Sequence, residues 1–109
     1  MSSSFIIVKS AVAPQGLKNP LDLVPDPDFD TPAYRALAET LFKAVAWRDE
    51  VGLAESDVGE VELEPTEAAL LVNFVAPITS RSAQILAALA LSEGAVLING
   101  TTADIVSPT

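Results

Sequence analysis

The chain has 109 residues, with 15 acidic side chains against 6 basic ones, so its formal net charge is −9 at pH 7. This charge repels nucleic-acid phosphates and argues against direct binding to DNA or RNA. The chain has no cysteine and no histidine. Disulfides, thiolate nucleophiles, Cys/His zinc sites and a histidine general base are therefore excluded. Apolar residues make up 50% of the chain, which predicts one folded domain over residues 1–109.

Targeting and catalytic motifs are not recognisable in the sequence. The first residues lack the basic region of a signal peptide, and no apolar run approaches the ~20 residues of a membrane span. We expect a cytoplasmic or virion-associated protein that no signal peptide exports and no membrane holds. We also expect a protein that is not an enzyme, with no cofactor, no metal site and no catalytic residue.

In chain order, residues 5–8 form a β-branched and aromatic run that predicts a buried strand. Four prolines and Gly16, followed by Pro32, then exclude regular structure from about residue 13 to residue 31. Asp30 or Thr31 can cap a helix that has Pro32 in its first turn. Apolar residues at helical spacing extend this predicted helix to residue 47, and we expect it to fray over residues 49–52.

The second half of the chain predicts three strands, a helix and a terminal strand. Alternation over residues 58–63 indicates a half-buried strand, and residues 70–75 read as a strand buried on both faces except at Asn73. A helix is expected to begin at Thr79 or Ser80 and to end at Ser92, before Gly94. A strand at residues 95–98, a type I′ turn at Asn99-Gly100 and a partner strand at residues 101–106 complete the prediction, with a frayed end at residues 107–109.

This order of elements predicts an α+β fold. It is the β-α-β-β-α-β order of a ferredoxin-like two-layer sandwich, with an extra C-terminal hairpin strand. We expect an antiparallel or mixed sheet that carries both helices on one face.

Both predicted helices have more apolar surface than one core needs. Residues 85–91 are all apolar, and with Leu86 at the core centre, flanked by Leu89 and Ala90, three residues wrap toward the far side. The first helix has a second, shallower apolar stripe. The predicted interface residues on the two helices are Ala36, Thr40, Trp47, Ile85, Ala88 and Leu91. The alternative is that the Pro-rich loop covers this surface within one molecule.

The Pro-rich segment, from about residue 12 to residue 31, is itself a candidate contact. A loop of this length in a small domain is often functional. We expect it to act as an extended loop or arm that reaches a neighbouring molecule, with Leu21, Leu23 and Phe29 as anchors.

Glu60, Glu62 and Glu64 alternate with apolar residues along one predicted strand. On a strand their carboxylates point to the same side at intervals of ~6.6–7 Å. Such a row could bind a basic partner by imitating a phosphate backbone. The alternative is that these charges protect an exposed edge strand from wrong pairing.

Three smaller motifs have ordinary structural explanations. Asp26, Asp28 and Asp30 are spaced like the first ligands of a calcium loop, but the glycine and the final glutamate of that loop are missing. Residues 80–82 could hold an anion at a helix start, although N-capping explains their hydroxyls. Asn73 in a buried strand is expected to satisfy a neighbouring polar group.

These observations predict a non-enzymatic structural or assembly subunit that acts as a homo-oligomer. An accessory protein of a virion or an appendage would fit this description. The alternative is an acidic inhibitor or regulator that binds a basic surface of a partner protein. An Asp/Glu metal enzyme is disfavoured, because nothing in the sequence brings the ligands together.

Overall fold

An antiparallel sheet with two helices makes up the regular structure in the computed structural model, which describes residues 3–14, 16–17, 19–56 and 59–108. Within these residues the sheet has six strands, in the order β2-β3-β4-β5-β1-β6. The elements are β1 (Ser3–Lys9), α1 (Thr31–Leu41), β2 (Ala46–Arg48), β3 (Val51–Ser56), β4 (Gly59–Pro65), β5 (Leu70–Phe74), α2 (Ser80–Ser92) and β6 (Ala95–Asn99).

The α+β class and the antiparallel sheet with two helices are confirmed. The exact ferredoxin-like strand order is not confirmed. Two further strands, β2 and β3, lie between α1 and β4 in the sequence and extend the sheet. Strands β3, β4 and β5 lie between β2 and β1 in the sheet, so the connection from β1 through α1 to β2 spans three strands.

The core lies between the two helices and one face of the sheet. Alternate residues of the strands supply it, as in β4, where Val61 and Leu63 are fully buried while the glutamates that alternate with them are exposed. Tyr34 and Leu37 of α1 and Leu86 of α2 pack against this face. Period-2 alternation therefore gives the sheet an apolar side under the helices. The opposite side is exposed at the β4 glutamates, but Val8 of β1 and Val96 of β6, which pair on that side, are buried.

The helix starts follow the predicted capping chemistry. The Asp30 carboxylate accepts a hydrogen bond from the Ala33 N–H at 3.1 Å, and Pro32 lies in the first turn of α1. The Thr79 hydroxyl accepts from the Ser82 N–H at 3.1 Å and caps α2. Gly94, with φ 73°, follows the end of α2 as predicted.

The first helix is shorter than predicted. It ends at Leu41, Phe42 leaves it in an extended conformation, and Ala44 has φ 53°. Trp47 therefore lies in β2 rather than on a helix, and it faces Gly52 of β3. Apolar spacing continued the helical pattern past residue 41, but packing of the indole against a glycine on the neighbouring strand decides the structure.

The C-terminal hairpin also differs from the prediction. The Asn99 carboxamide oxygen accepts from the N–H groups of Thr101 at 2.8 Å and Thr102 at 3.2 Å, and the positive φ of the turn falls on Ala103. The Gly100 N–H donates a hydrogen bond to the Ser4 carbonyl at 2.8 Å. A Cβ on Gly100 would lie 2.9 Å from that carbonyl oxygen, so this close approach requires glycine. A wider turn replaces the type I′ turn, and the predicted strand over residues 101–106 is reduced to a bridge between Ile105 and Ile98.

The Pro-rich segment folds back on the end of β1. The Ala11 N–H donates a hydrogen bond to the Val24 carbonyl at 2.8 Å, and the Asp26 N–H donates one to the Lys9 carbonyl at 2.9 Å. A short 3₁₀ turn, Pro20–Asp22, lies at its far end. The segment is therefore a loop with both ends attached to the sheet. Val58 and Thr109, which belong to the predicted strand and the predicted frayed end, lie outside the described residues.

Candidate protein-interaction surfaces

A groove between the two helices is the first candidate surface. Its volume is about 360 Å³, and Phe74 of β5 is among its lining residues. Ile85 is 54% exposed and Leu89 is 47% exposed. We call this surface the helix groove; its apolar lining residues are Leu41, Phe42, Phe74, Ile78, Ile85, Leu86 and Leu89.

The composition of α2 explains why this surface is open. The buried face of α2 consists of Leu86 and three alanines. Small side chains bring the helix close to the sheet, and Ile85 and Leu89 are left on its flank. Leu89 was expected beside the core and is instead one of the exposed large apolar residues.

The opposite flank of α2 has a different environment. Leu91 is half-buried and lines a cleft of about 360 Å³ whose other residues include Pro14, Leu17 and Val106. The Pro-rich loop and the C-terminal segment thus approach this flank. This agrees with the alternative prediction, in which the loop covers part of the helix surface within one molecule. Ala88, between the two flanks, is exposed.

One residue of each charge borders the helix groove. Lys43, just after α1, and Glu55, in β3, are both among its lining residues. The groove is therefore apolar with balanced charge at its border, although the chain as a whole has a net charge of −9.

The interface residues predicted on the first helix separate into two groups. Ala36 and Thr40 are exposed on α1, and the Thr40 hydroxyl donates to the Ala36 carbonyl at 3.0 Å. Trp47 is half-buried in β2, with the Arg35 guanidinium 4.2 Å from its ring. Its Nε1 is buried without a hydrogen-bond partner among the described residues. Trp47 therefore packs against the core of the molecule, whereas Ala36 and Thr40 are exposed.

The predicted anchors of the loop also differ in their surroundings. Leu21 is 90% exposed, whereas Leu23 is half-buried. Phe29 packs edge-on against Tyr34, with ring centroids 4.7 Å apart. The Lys9 ammonium lies 5.9 Å from the Phe29 ring. Phe29 contributes to the periphery of the core, and Leu21 is the anchor that remains accessible.

The second candidate surface is the sheet face opposite the helices. Glu60, Glu62 and Glu64 are exposed there, side by side as predicted. Their strand β4 pairs with both β3 and β5, so the interpretation as protection of an edge strand is wrong. The sequence prediction missed β3, which covers that edge.

The partners across the strands define this surface further. Glu60 lies directly opposite Glu55, and Glu62 lies between Leu53 and Asn73. Glu64 lies opposite Leu71, which in turn lies opposite Ile6. The carboxylates therefore border an apolar row that runs across β5, β1 and β6 and ends at Ile98.

Part of this face is concave. An open hollow of about 780 Å³ lies over strands β2 to β4, with Val51 and Leu53 as its apolar residues. We call this surface the acidic hollow; its charged lining residues are Arg48, Asp49, Glu50, Glu62 and Glu64. Only the two β4 glutamates were identified from sequence, because the other residues belong to the missed β2–β3 hairpin.

The remaining motifs have structural roles within the chain. The Asp26 carboxylate accepts from the Asp28 N–H at 2.9 Å, and the Asn73 side chain accepts from the Ser4 hydroxyl at 2.7 Å. Among the described residues, no three acidic groups lie close enough together to hold a metal ion. Neither α1 nor α2 has the length and hydropathy of a membrane-spanning helix, within the part of the chain that the structure describes.

Comparison of the chain with protein-family models, with curated proteins and with solved structures finds no match.

Proposed function

We propose that the protein is a non-enzymatic assembly subunit that self-associates through the helix groove. The observation that carries this proposal is the exposure of two large apolar side chains, Ile85 and Leu89, beside a groove that reaches Phe42 and Phe74. Complete burial of a fully exposed aliphatic side chain contributes ~1.5–3 kcal/mol, and Ile85 and Leu89, each about half exposed, can gain roughly half of that. A partner that covers both residues therefore gains a stable apolar contact.

The charges favour a second copy of this chain as that partner. In a two-fold dimer each residue of the interface meets the same surface of the other molecule. Lys43 and Glu55 at the border of the groove have opposite charges, so each can face the other across such an axis. Two copies that met through the acidic hollow would instead bring like charges together.

Exposed small residues on the two helices suit close approach of another helix. Ala36, Thr40 and Ala88 are exposed and small, and small side chains shorten the distance between packed helices. Leu21, at the far end of the Pro-rich loop, supplies a further apolar contact. A small acidic subunit of this kind fits an accessory role in a larger assembly such as a virion or an appendage.

Size-exclusion chromatography with light scattering tests this proposal. The variant Ile85→Gln/Leu89→Gln keeps the charge and the helix propensity of α2 but replaces both apolar side chains. We expect the wild-type chain to elute as an oligomer at ~50 µM, a concentration that populates micromolar dimers. The variant is expected to elute with the mass of one chain.

The matched control is Leu53→Gln, because Leu53 is 44% exposed on the opposite face of the sheet. This variant should keep the oligomeric mass of the wild type. The proposal is wrong if Ile85→Gln/Leu89→Gln keeps the wild-type mass, or if Leu53→Gln dissociates the oligomer equally.

A further inference from the structure

We propose that the acidic hollow and the sheet face around it bind a basic, partly apolar segment of another protein. This surface lies on the side of the sheet opposite the helices, and only its edge, at Glu55 and Lys43, also borders the helix groove. The residues of the acidic hollow do not line that groove, so the proposal does not depend on self-association. Its occupant is an extended segment in which lysine or arginine side chains alternate with apolar ones.

The carboxylates of this face have no cationic partner in the part of the chain that the structure describes. Within the described residues, the side chains of Glu55, Glu60, Glu62 and Glu64 make no ion pair within 4.0 Å. Glu55 and Glu60 lie directly opposite each other on neighbouring strands, and like charges in that position destabilise a sheet. A cationic partner removes this repulsion, so the arrangement favours binding of positive charge.

The spacing of the carboxylates indicates an extended partner rather than a single ion. Alternate residues of β4 place their side chains ~6.6–7 Å apart along the strand, which is too far for a shared cation. The charges continue from Glu64 to Glu60 and across to Asp49 and Glu50 at the β2–β3 turn. Several cations at similar intervals, as on an extended chain, match this pattern.

The apolar residues favour a protein segment with aliphatic side chains. Val51 and Leu53 line the hollow beside Glu62 and Glu64. Lysine and arginine lay their methylene stems on apolar surface while the charged ends reach outward. Their stems can therefore cover Val51 and Leu53 while the cations reach the carboxylates. Beyond Glu64, the row that contains Leu71 offers apolar contact to the intervening side chains.

The cations near this surface are few. Arg48 lines the hollow, and Lys43 shares a cleft with Glu60 and Glu62 at the other end of the face. The described carboxylates of the face outnumber them, so a second copy and a nucleic acid are both repelled. A basic protein segment is the occupant whose charge complements the surface.

A labelled synthetic peptide of about nine residues provides the probe, since an extended chain of that length spans ~30 Å. In this peptide every second residue is arginine, and the residues between the arginines are valine or serine. A control peptide has glutamate in place of each arginine. We expect fluorescence anisotropy to show binding of the arginine peptide alone. The affinity should fall at least about tenfold as NaCl rises from ~0.05 to ~0.3 M.

Two variants with the same change in net charge locate the site. Glu62→Lys/Glu64→Lys is expected to weaken binding at least about tenfold. Glu39→Lys/Glu93→Lys changes one exposed glutamate on α1 and one that directly follows α2, and it should stay within about threefold of the wild type because of distance and screening. The isosteric variant Glu62→Gln/Glu64→Gln should also weaken binding. It replaces the lysine variant in this test if the lysine variant fails to fold.

Three outcomes overturn the proposal. The first is that the wild type does not bind the arginine peptide. The second is that both Glu62/Glu64 variants bind it with unchanged affinity. The third is that Glu39→Lys/Glu93→Lys loses as much affinity as Glu62→Lys/Glu64→Lys. Leu53→Gln gives an independent check, because it should weaken peptide binding while the oligomeric mass stays that of the wild type. If self-association fails but peptide binding is lost only in the hollow variants, the proposal for this surface stands alone.

Discussion

Tyr34 joins three parts of the chain through one buried hydroxyl. The hydroxyl accepts a hydrogen bond from the Lys9 N–H at 3.0 Å and donates one to the Ala68 carbonyl at 3.3 Å. Strand β1, helix α1 and the β4–β5 connection are thereby held together. Burial raises the pKa of Tyr34 above its ordinary value of 10.0, and the negative charge of Asp26 adds to this, while the Lys9 hydrogen bond opposes it.

The raised pKa of Tyr34 predicts a loss of stability at alkaline pH. The folded state favours the neutral phenol, so this contribution is complete below pH 10.0 and is lost as the pH rises through the folded-state pKa. Tyr34→Phe should lower the free energy of unfolding at pH 7 by ~1–2 kcal/mol, because two hydrogen bonds are lost. Above pH ~10 its stability should fall less steeply than that of the wild type.

Urea unfolding at pH 7 and at pH ~10.5 measures both effects. Tyr34 is the only tyrosine in the sequence. The difference in alkaline stability between the wild type and Tyr34→Phe therefore separates its titration from that of the lysines. Equal alkaline losses in the wild type and in Tyr34→Phe would contradict the assignment.

The hairpin of β2 and β3 depends on a glycine opposite a tryptophan. A Cβ on Gly52 would lie 2.6 Å from Val45 Cγ1 and 2.9 Å from the Trp47 ring. Gly52→Ala should therefore reduce the free energy of unfolding by ~1–3 kcal/mol through overpacking. Thermal unfolding followed by circular dichroism measures this loss. The exposed neighbour Leu53→Ala serves as the control and should change stability by less than ~1 kcal/mol; an equal effect of both substitutions would show that the contact with Trp47 is not the cause.

The elements that the sequence predicts well are those whose ends have local chemistry. Asp30 and Thr79 cap their helices, and Gly94 follows α2, because these effects act within a few residues of the chain. The end of α1 and the β2–β3 hairpin were missed, because they depend on contact between Trp47 and Gly52 across two strands. The wide turn after β6 was missed for a similar reason, since Gly100 packs against Ser4 at the other end of the chain.

The two candidate surfaces were predictable to different degrees. Ile85 on α2 and the glutamates of β4 follow from helical and strand periodicity, and both lie where that periodicity places them. Leu91 and Phe29 were expected at an interface, but Phe29 packs against Tyr34 of α1, and Leu91 lines a cleft together with residues of the Pro-rich loop and the C-terminal segment. Val51 and Leu53 of the hollow could not be identified, because their exposure depends on the missed hairpin.

The distribution of charge over the molecule separates the two surfaces. The helix groove has one cation and one carboxylate at its border, Lys43 and Glu55, while the lining of the acidic hollow has four carboxylates and one cation. Apolar burial holds or strengthens as salt rises, whereas binding between opposite charges weakens. Self-association and binding of a basic partner should therefore respond to salt in opposite directions.

Sedimentation equilibrium of the wild-type chain at low and high NaCl tests self-association most directly. We expect a mass of at least twice the 11.4 kDa of one chain. The association should be as strong or stronger in ~0.5 M NaCl than in ~0.05 M NaCl, because salt screens the repulsion between two acidic molecules. A single species with the mass of one chain, at every protein and salt concentration, would contradict the account.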